Sequence, residues 1–470
     1  MERSWPEAFA PEVVRPFLKH LSISIVALEA WRRGLRVTLL DDRPRRVRIE
    51  DSDGHAVEFT NARPQMNTIE GVRLARNKYK TTSFLAQEGF RTPVTRLIDT
   101  RKTERAEVVR NAADIGFPIV LKPLAGSKGE GVFTGITQEE QLLNYYDYLV
   151  HKLKTKHVVI ESHEDGEMDL RVLVIGDQVA GIVHRIPANV TGDGKRTVSE
   201  LIDAKNLERA KNPFLCSGLI EKDQEVANYV HAAGFKMTSI PSDGEYLRLR
   251  GKSNGSAGGD TTEVSHIVSE EIAQEVAKVV ERFPGLYAAG VDILYTPKRG
   301  DSPEKYTLIE VNATPQIAVN MYPMIGVGKE TPKSWIDSCF PRTSRSHIAG
   351  EETLTFSLEE PMAALRSGTA RQVTLEPIPA NRLPFRQKFT YRTDSNLEET
   401  SHRRLLRYAL RHGVSGSLTR EADQLILYAA AEEKNALETF IGRVSAVLTA
   451  SPTATCPWDD VVRLGFRVEV

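Results

Sequence analysis

Leu308-Ile309-Glu310-Val311-Asn312 is an apolar run that ends in two hard oxygen ligands, and Ala289-Gly290-Val291-Asp292-Ile293-Leu294 encloses a third. Packing gives neither run a reason to carry these polar residues. Side chains alternate faces along a strand, so Glu310 and Asn312, two apart, point the same way. A carboxylate and an amide oxygen then stand side by side, with room for Asp292 from a neighbouring strand. Mg²⁺ takes oxygen ligands and keeps several waters or phosphate oxygens. Asp292, Glu310 and Asn312 therefore read as a metal site for Mg²⁺, with Mn²⁺ as the alternative, that holds the phosphates of a nucleotide.

Composition narrows the rest. A chain of 470 residues with 40% apolar residues can bury sizeable cores, and that length corresponds to roughly three domains. Basic and acidic residues balance at 62 against 63, which argues for neither a nucleic-acid nor a membrane-surface partner. The basic run Arg43 to Arg48 is short and flanked by Asp41, Asp42, Glu50 and Asp51, so it reads as a solvated turn. Cys216, Cys339 and Cys456 are odd in number and far apart. They fit a reducing cytoplasm and exclude a disulfide framework or a zinc site. No run approaches the ~18 apolar residues of a membrane span, and the N-terminus lacks a signal peptide's apolar core.

Residues 21–42 read as helix, glycine, strand, half of a small α/β unit. Helices are expected over 77–89 and 106–115, a strand over 119–123, and a helix over 139–150. Strands follow at 158–161, 170–175 and 178–184, the last two joined at Gly176-Asp177. A polar loop is expected over 187–194, a strand at 245–250, and an amphipathic helix over 265–283. The two metal-bearing strands come next, and a helix over 332–340 closes this part. Residues 341–384 are rich in Pro, Ser, Arg and Glu and read as a connector. Residues 385–470 read strand, helix, two strands, helix, and a last strand at 461–468.

Several residues are placed where chemistry rather than packing explains them. Lys122 ends an apolar strand directly before a glycine-rich stretch, Gly126-Ser127-Lys128-Gly129-Glu130-Gly131. A lysine there is costly unless an anion receives it, and glycine amides can close over a phosphate. A snorkelling lysine on a plain hairpin is the competing reading. Lys78 opens a helix and can reach a second phosphate, or is simply exposed. Glu161-Ser162-His163 leaves a strand where backbone groups can meet a nucleobase, or is an ordinary loop exit. Asp169 and Arg171 share a strand face, and Arg185 begins a loop. Arg248 and Arg250 precede Gly251 to Asp260, which includes Asn254, Ser256, Gly258 and Gly259. Such a loop can bind a carboxylate or phosphoryl group through its amides, with Arg250 adding a planar fork of donors; the rival reading is a flexible linker. His184, Tyr229 and Tyr322 could contact substrate, but each reads more readily as a packed or surface residue and is given no role.

Taken in order, these stretches resemble the ATP-grasp superfamily of carboxylate–amine ligases, and most closely the ATP-grasp modules of cyanophycin synthetase and bifunctional glutathione synthetase. The resemblance is carried by Asn77–Thr82, Phe117–Pro123 with its glycine loop, Asp169–Ile175, Arg185–Gly194, Leu249-Arg250 with Asn254–Asp260, and Asp292 with Glu310-Val311-Asn312. It implies a multidomain α/β and α+β protein: an N-terminal α/β domain over 1–75, an ATP-grasp domain over 76–340 with a lid about 117–165, a connector over 341–384, and a last domain over 385–470. It further implies that ATP is bound by Lys78, Lys122, Gly126, Ser127, Gly129, Gly131, Glu161, Asp169 and Arg171. A small-molecule carboxylate would attack the γ-phosphorus, and an amine would displace phosphate from the acyl phosphate. Arg250, Ser256, Gly258 and Gly259 would stabilise the developing charge, with Arg185 and Asn254 near substrate. Relatives of this kind commonly self-associate, which leaves a homo-oligomer open. A kinase of the same fold and a non-catalytic nucleotide sensor are the rival functions.

Departures from the pattern are local. Ser256-Ala257-Gly258-Gly259 stands where relatives read Ser-Thr-Gly-Gly, and Asn320 stands where they carry histidine. Residues 385–470 resemble an acylphosphatase-like, ferredoxin-like α+β domain through Ala409–Arg420 and Leu437–Ile441. The phosphate loop of that family is missing, with Arg392–Leu397 in its place, and Glu421 follows Arg420 where a catalytic asparagine is expected. A non-hydrolytic domain is expected.

Overall fold

A computed structural model describes residues 4–125, 130–392 and 397–469. The chain divides into two compact units, one of residues 1–5 and 62–338, the other of residues 6–61 and 339–470. Residues 6–61 thus cluster with the C-terminal third instead of standing apart as a domain of residues 1–75.

The first unit is built on a five-stranded sheet ordered Asp260–Glu263, Gln178–Ile186, Met168–Ile175, Ala288–Thr296, Lys305–Asn312, with all neighbours antiparallel. Alternation along Met168–Ile175 sends Leu170, Val172 and Val174 into a core shared with Val276, Val279 and Val280 of the helix Glu270–Arg282. The opposite face is left to Asp169 and Arg171. Ser269 caps that helix by accepting from the Ile272 amide. A second sheet, ordered Thr95–Asp99, His157–Ser162, Ile119–Pro123, Phe133–Ile136, buries Ile119, Leu121, Val158 and Ile160 with Val108, Ala112 and Leu142 of two helices. The helix expected over 139–150 is α-helical from Glu139 to Asp147 and widens to a π-turn over Tyr148–Lys152. The expected polar loop 187–194 contains the strand Asn189–Thr191, paired with Tyr246–Arg248. Helices Val198–Lys211 and Gln224–Ala232 pack beside this pair through Leu201, Ile202, Val226 and Val230.

In the second unit, strands Val373–Thr374, Arg36–Leu39, Arg46–Glu50 and Ala56–Thr60 are hydrogen-bonded in that order. The basic run is turn over residues 43–45 and strand from Arg46 onward, where Arg46 and Arg48 reach across the hairpin to Glu58 at 3.3 and 2.6 Å. The expected connector supplies the edge strand Val373–Thr374 and the helix Glu359–Arg366. Residues 385–469 form a sheet ordered Ala454–Pro457, Phe385–Arg392, Gln424–Ala431, Ser415–Glu421, Phe466–Glu469, parallel only at the last pair. Helices Glu399–His412 and Lys434–Leu448 bury Leu405, Ala409, Leu437 and Phe440 with Phe389, Tyr391 and Leu427. The expected last strand 461–468 resolves into two short ones, Val462–Arg463 and Phe466–Glu469, and Ala454–Pro457 was not legible in advance. No helix among the described residues is long and apolar enough to cross a membrane.

Candidate active site

Strand register builds the centre of the site. Asp292 is paired with Arg171 on one side and with Glu310 on the other. Residues in register across three strands share a face, so base, acid and acid stand in a row, Arg171, Asp292, Glu310. Arg171 grips Asp292 with two donors, and Arg185 reaches the same carboxylate at 3.2 Å. Arg185 also holds Asp169, which accepts from the Ser253 hydroxyl. Asn312 lies 3.4 Å from Asp292, and Lys78 pairs with Glu310 at 2.8 Å. In the second sheet Lys122 and Glu161, both buried, pair at 2.5 Å, and the other Glu161 oxygen has no partner among the described residues.

These residues line one cavity of about 1140 Å³: Lys78, Lys122, Glu161, Asp169, Arg171, Arg185, Asn254, Asp292, Glu310 and Asn312 all contribute. Burial alone would push the Asp292 carboxyl up, but the guanidinium groups of Arg171 and Arg185 outweigh it and hold the group below the usual carboxylate range. Burial works against the Arg185 charge as well, and Asp292 with Asp169 raises it above its ordinary value. His184 is lowered by burial, opposed by Asp169, and does not line the cavity.

Two carboxylates and an amide oxygen on one sheet face match the preference of Mg²⁺ or Mn²⁺ for hard oxygen donors. No three His, Cys, Asp or Glu side chains group as a metal site among the described residues. A cation here relies on the Asn312 amide and on oxygens from a nucleotide.

The glycine-rich loops differ from expectation. Gly126, Ser127 and Gly129 lie outside the described residues. Gly131 does not line the cavity; its φ is +69°, and a Cβ would stand 2.8 Å from Leu149. Arg250, Ser256, Gly258 and Gly259 are not brought to the cavity either. Acids at the start of the helix Gln224–Ala232 capture Arg250: Asp223 at 2.5 Å and Glu225 at 2.6 Å. The amides of Ala257, Gly258 and Gly259 are committed inside the turn to Asn254 and Gly255 carbonyls. Among the described residues, the amides of Asn254, Gly255 and Ser256 donate to no group. Behind the loop Arg209, fully buried, donates to the carbonyls of Gly218, Gly255 and Gly259 and to Asp260. This explains the small residues: a Cβ on Gly218 would lie 2.2 Å from the Gly255 oxygen, and one on Gly259 2.5 Å from the Ser253 oxygen. Asn320 is buried with neither side-chain polar atom partnered among the described residues.

The RimK-like ATP-grasp domain family matches residues 75–197, the stretch that supplies Lys78, Lys122, Glu161, Asp169, Arg171 and Arg185. Residues 75–197 are thus similar to the ATP-grasp domain of that family. Over 291 residues it is 34% identical to a cyanophycin synthetase from Geminocystis herdmanii, covering 60% of this chain and 32% of that protein. Over 332 residues it is 29% identical to a bifunctional glutathione biosynthesis protein from Clostridium perfringens, covering 68% of this chain and 41% of that protein. The chain thus spans about a third to two fifths of the length of these curated relatives. The crystal structure of a bifunctional glutathione synthetase from Pasteurella multocida superposes with a TM-score of 0.51 at 22% identity, over 66% of this chain and 42% of that one, and shows the shared fold.

Sequence reasoning missed Arg76, Glu225 and Lys252, which line the same cavity. Tyr229, read as a packed or surface residue in preference to a substrate contact, is on its wall, whereas Tyr322 is fully buried. Asp223 as an N-cap followed by Val226 and Val230 was a usable helix signal.

Proposed function

We propose that the protein is an ATP-dependent ligase that joins an amino-acid or peptide carboxylate to an amine through an acyl phosphate. The observation that carries this reading is the row Arg171, Asp292, Glu310 across three strands, with Lys78, Lys122 and Arg185 lining the same cavity. Four cations suit a triphosphate, and Arg171 and Arg185 hold Asp292 in place beforehand. A divalent cation on Asp292, Glu310 and Asn312 would neutralise charge on the β- and γ-phosphates. Lys78, already at Glu310, sits where it can follow charge on the transferred phosphoryl group. Glu161, anchored by Lys122, leaves one buried oxygen to accept from a nucleobase amine. The substrate carboxylate attacks the γ-phosphorus, and the amine then displaces phosphate. The unused amides of Asn254, Gly255 and Ser256, in place of Arg250 and the later glycines, are the donors for the oxyanion of the tetrahedral intermediate.

The test is to supply ATP, Mg²⁺, hydroxylamine and a panel of amino acids and short peptides. A hydroxamate formed in step with ADP supports the ligase. ADP formed with a phosphorylated product and no hydroxamate points to a kinase, and no ADP from any acid overturns the reading. Glu310→Ala, at the metal strand, is expected to lower ADP formation by about a hundredfold or more with an unchanged circular dichroism spectrum.

For residues 385–469 we propose a ferredoxin-like, acylphosphatase-like domain without hydrolase activity. Its support is the order of the first four strands of the segment, 4-1-3-2 when numbered along the chain, with both helices in one core. The missing phosphate-loop and asparagine signatures favour a role other than hydrolysis.

A further inference from the structure

The helix Glu399–His412 turns Leu405 and Ala409 into a core and leaves its other side to solvent. That side carries two exposed ridges. Arg403, Arg407 and Arg411 recur every fourth residue along one, and Leu406 and Leu410 stand beside them along the other. A helix packed on one face ordinarily shows polar residues on the opposite one. Here Leu406 is 41% and Leu410 85% exposed, the latter more than any other large apolar side chain among the described residues. Arg404, Arg407 and Arg411 meet no hydrogen-bonding or charged partner among the described residues, and Arg403 pairs only with Glu399, in the first turn. From Arg403 to Arg411 the helix holds four bases and no acid. Arg443 of the neighbouring helix Lys434–Leu448 lies over the Tyr408 ring at 5.6 Å and adds a fifth guanidinium. The other acids of this layer are Glu398 before the first turn, Glu433 at the start of the neighbouring helix, and Glu438, 3.6 Å from Lys434. Glu469, on the adjoining strand, alternates with core-facing Val468 and so points away.

We propose that this face docks reversibly on an anionic phospholipid bilayer. Four guanidinium groups along a helix of about 21 Å are drawn to a negative surface. Their long stems keep the charges with the phosphates while Leu406 and Leu410 enter the acyl boundary. A second copy of the chain does not fit, since a two-fold contact would set one arginine ridge against the other. Nucleic acid would engage the arginines and leave the leucines in water. A folded acidic protein is best met by side chains fixed beforehand; these arginines are fixed by nothing, which suits headgroups that rearrange around them. The balance of 62 bases against 63 acids over the chain conceals the face because the excess is local. Nothing here depends on the ligase reading.

Full-length protein is sedimented with vesicles of phosphatidylcholine, alone or with about 30% phosphatidylserine, at low and high salt. Wild type is expected to bind the serine-lipid vesicles about tenfold or more tightly than the neutral ones, and less so as salt rises. This comparison needs no variant. Replacing Arg404, Arg407 and Arg411 together by Gln should lower the affinity about tenfold or more. Leu406→Ser with Leu410→Ser should lower it several-fold and keep the salt dependence. Lys102→Gln with Arg110→Gln and Lys195→Gln removes as many exposed charges elsewhere and should leave binding unchanged. Equal affinity for the two kinds of vesicle overturns the proposal. So does an unchanged affinity in the arginine triple variant, or an equal fall in the control triple. Wild type that ignores vesicles but binds single-stranded RNA or polyglutamate through the same arginines also overturns it, and gives the face to that partner.

Discussion

Asp292 shows how a single buried carboxylate is kept charged. Moving it from water into a protein is unfavourable, yet two guanidinium groups hold its pKa below the ordinary value of about 3.9. A depressed carboxylate contributes stability that is fully present above its unfolded pKa and is lost as pH falls through the folded one. Asp292→Asn leaves Arg171 and Arg185 without their shared counter-charge, so the variant should be less stable than wild type at about pH 7, with the gap closing below about pH 4. Urea melts across that range check this, and a gap independent of pH would refute it. The same residue marks what alternation alone can tell: Glu310 and Asn312 were legible as one-faced, but the two arginines that hold Asp292 come from strands more than a hundred residues away in sequence.

Helices and strands were legible where their periodicity was strong. The helix Glu270–Arg282 has a run of buried Val276, Ala277, Val279 and Val280 and a clean cap at Ser269. Ser269→Ala should cost about 1 kcal/mol, read as a lowered urea midpoint without a change in slope. The elements missed were those whose pattern is diluted. Val198–Lys211 carries a capping box, Thr197 with Glu200, but buries Arg209 among its apolar residues. A buried arginine breaks the apolar stripe that identifies a helix, and its reason for being there, the carbonyls of Gly255 and Gly259, lies in another segment. Arg250 was misplaced for a related reason. An arginine before a glycine loop looks free to bind substrate until the helix bearing Glu225 is known to exist.

Across the whole molecule, chain order misleads about which segments fold together. Residues 6–61 and 339–470 form one unit, tied by Arg32 donating to the Leu354 carbonyl, by Trp31 donating to the Glu376 carbonyl, and by strand pairing of Thr38 with Thr374. Glu29, fully buried, is held by Arg33 and Arg345. Removing one partner of a buried ion pair is costly, about 3 kcal/mol or more. A chain ending at residue 338 should therefore expose residues 6–61 to limited proteolysis, and resistance equal to full-length protein would contradict this division.

What the sequence determined by itself was the set of short-range facts: strand alternation that puts Glu310 beside Asn312, a lysine stranded at the end of an apolar run, and the amphipathic helix behind the sheet. Those follow from backbone geometry and burial over a few residues. Tertiary structure alone decided which charges meet, which loop amides remain unused, and that Glu225 and Tyr229 face the cavity. Pairing and packing across long loops depend on contacts that no local window contains, and a charged side chain takes whichever partner those contacts bring within reach.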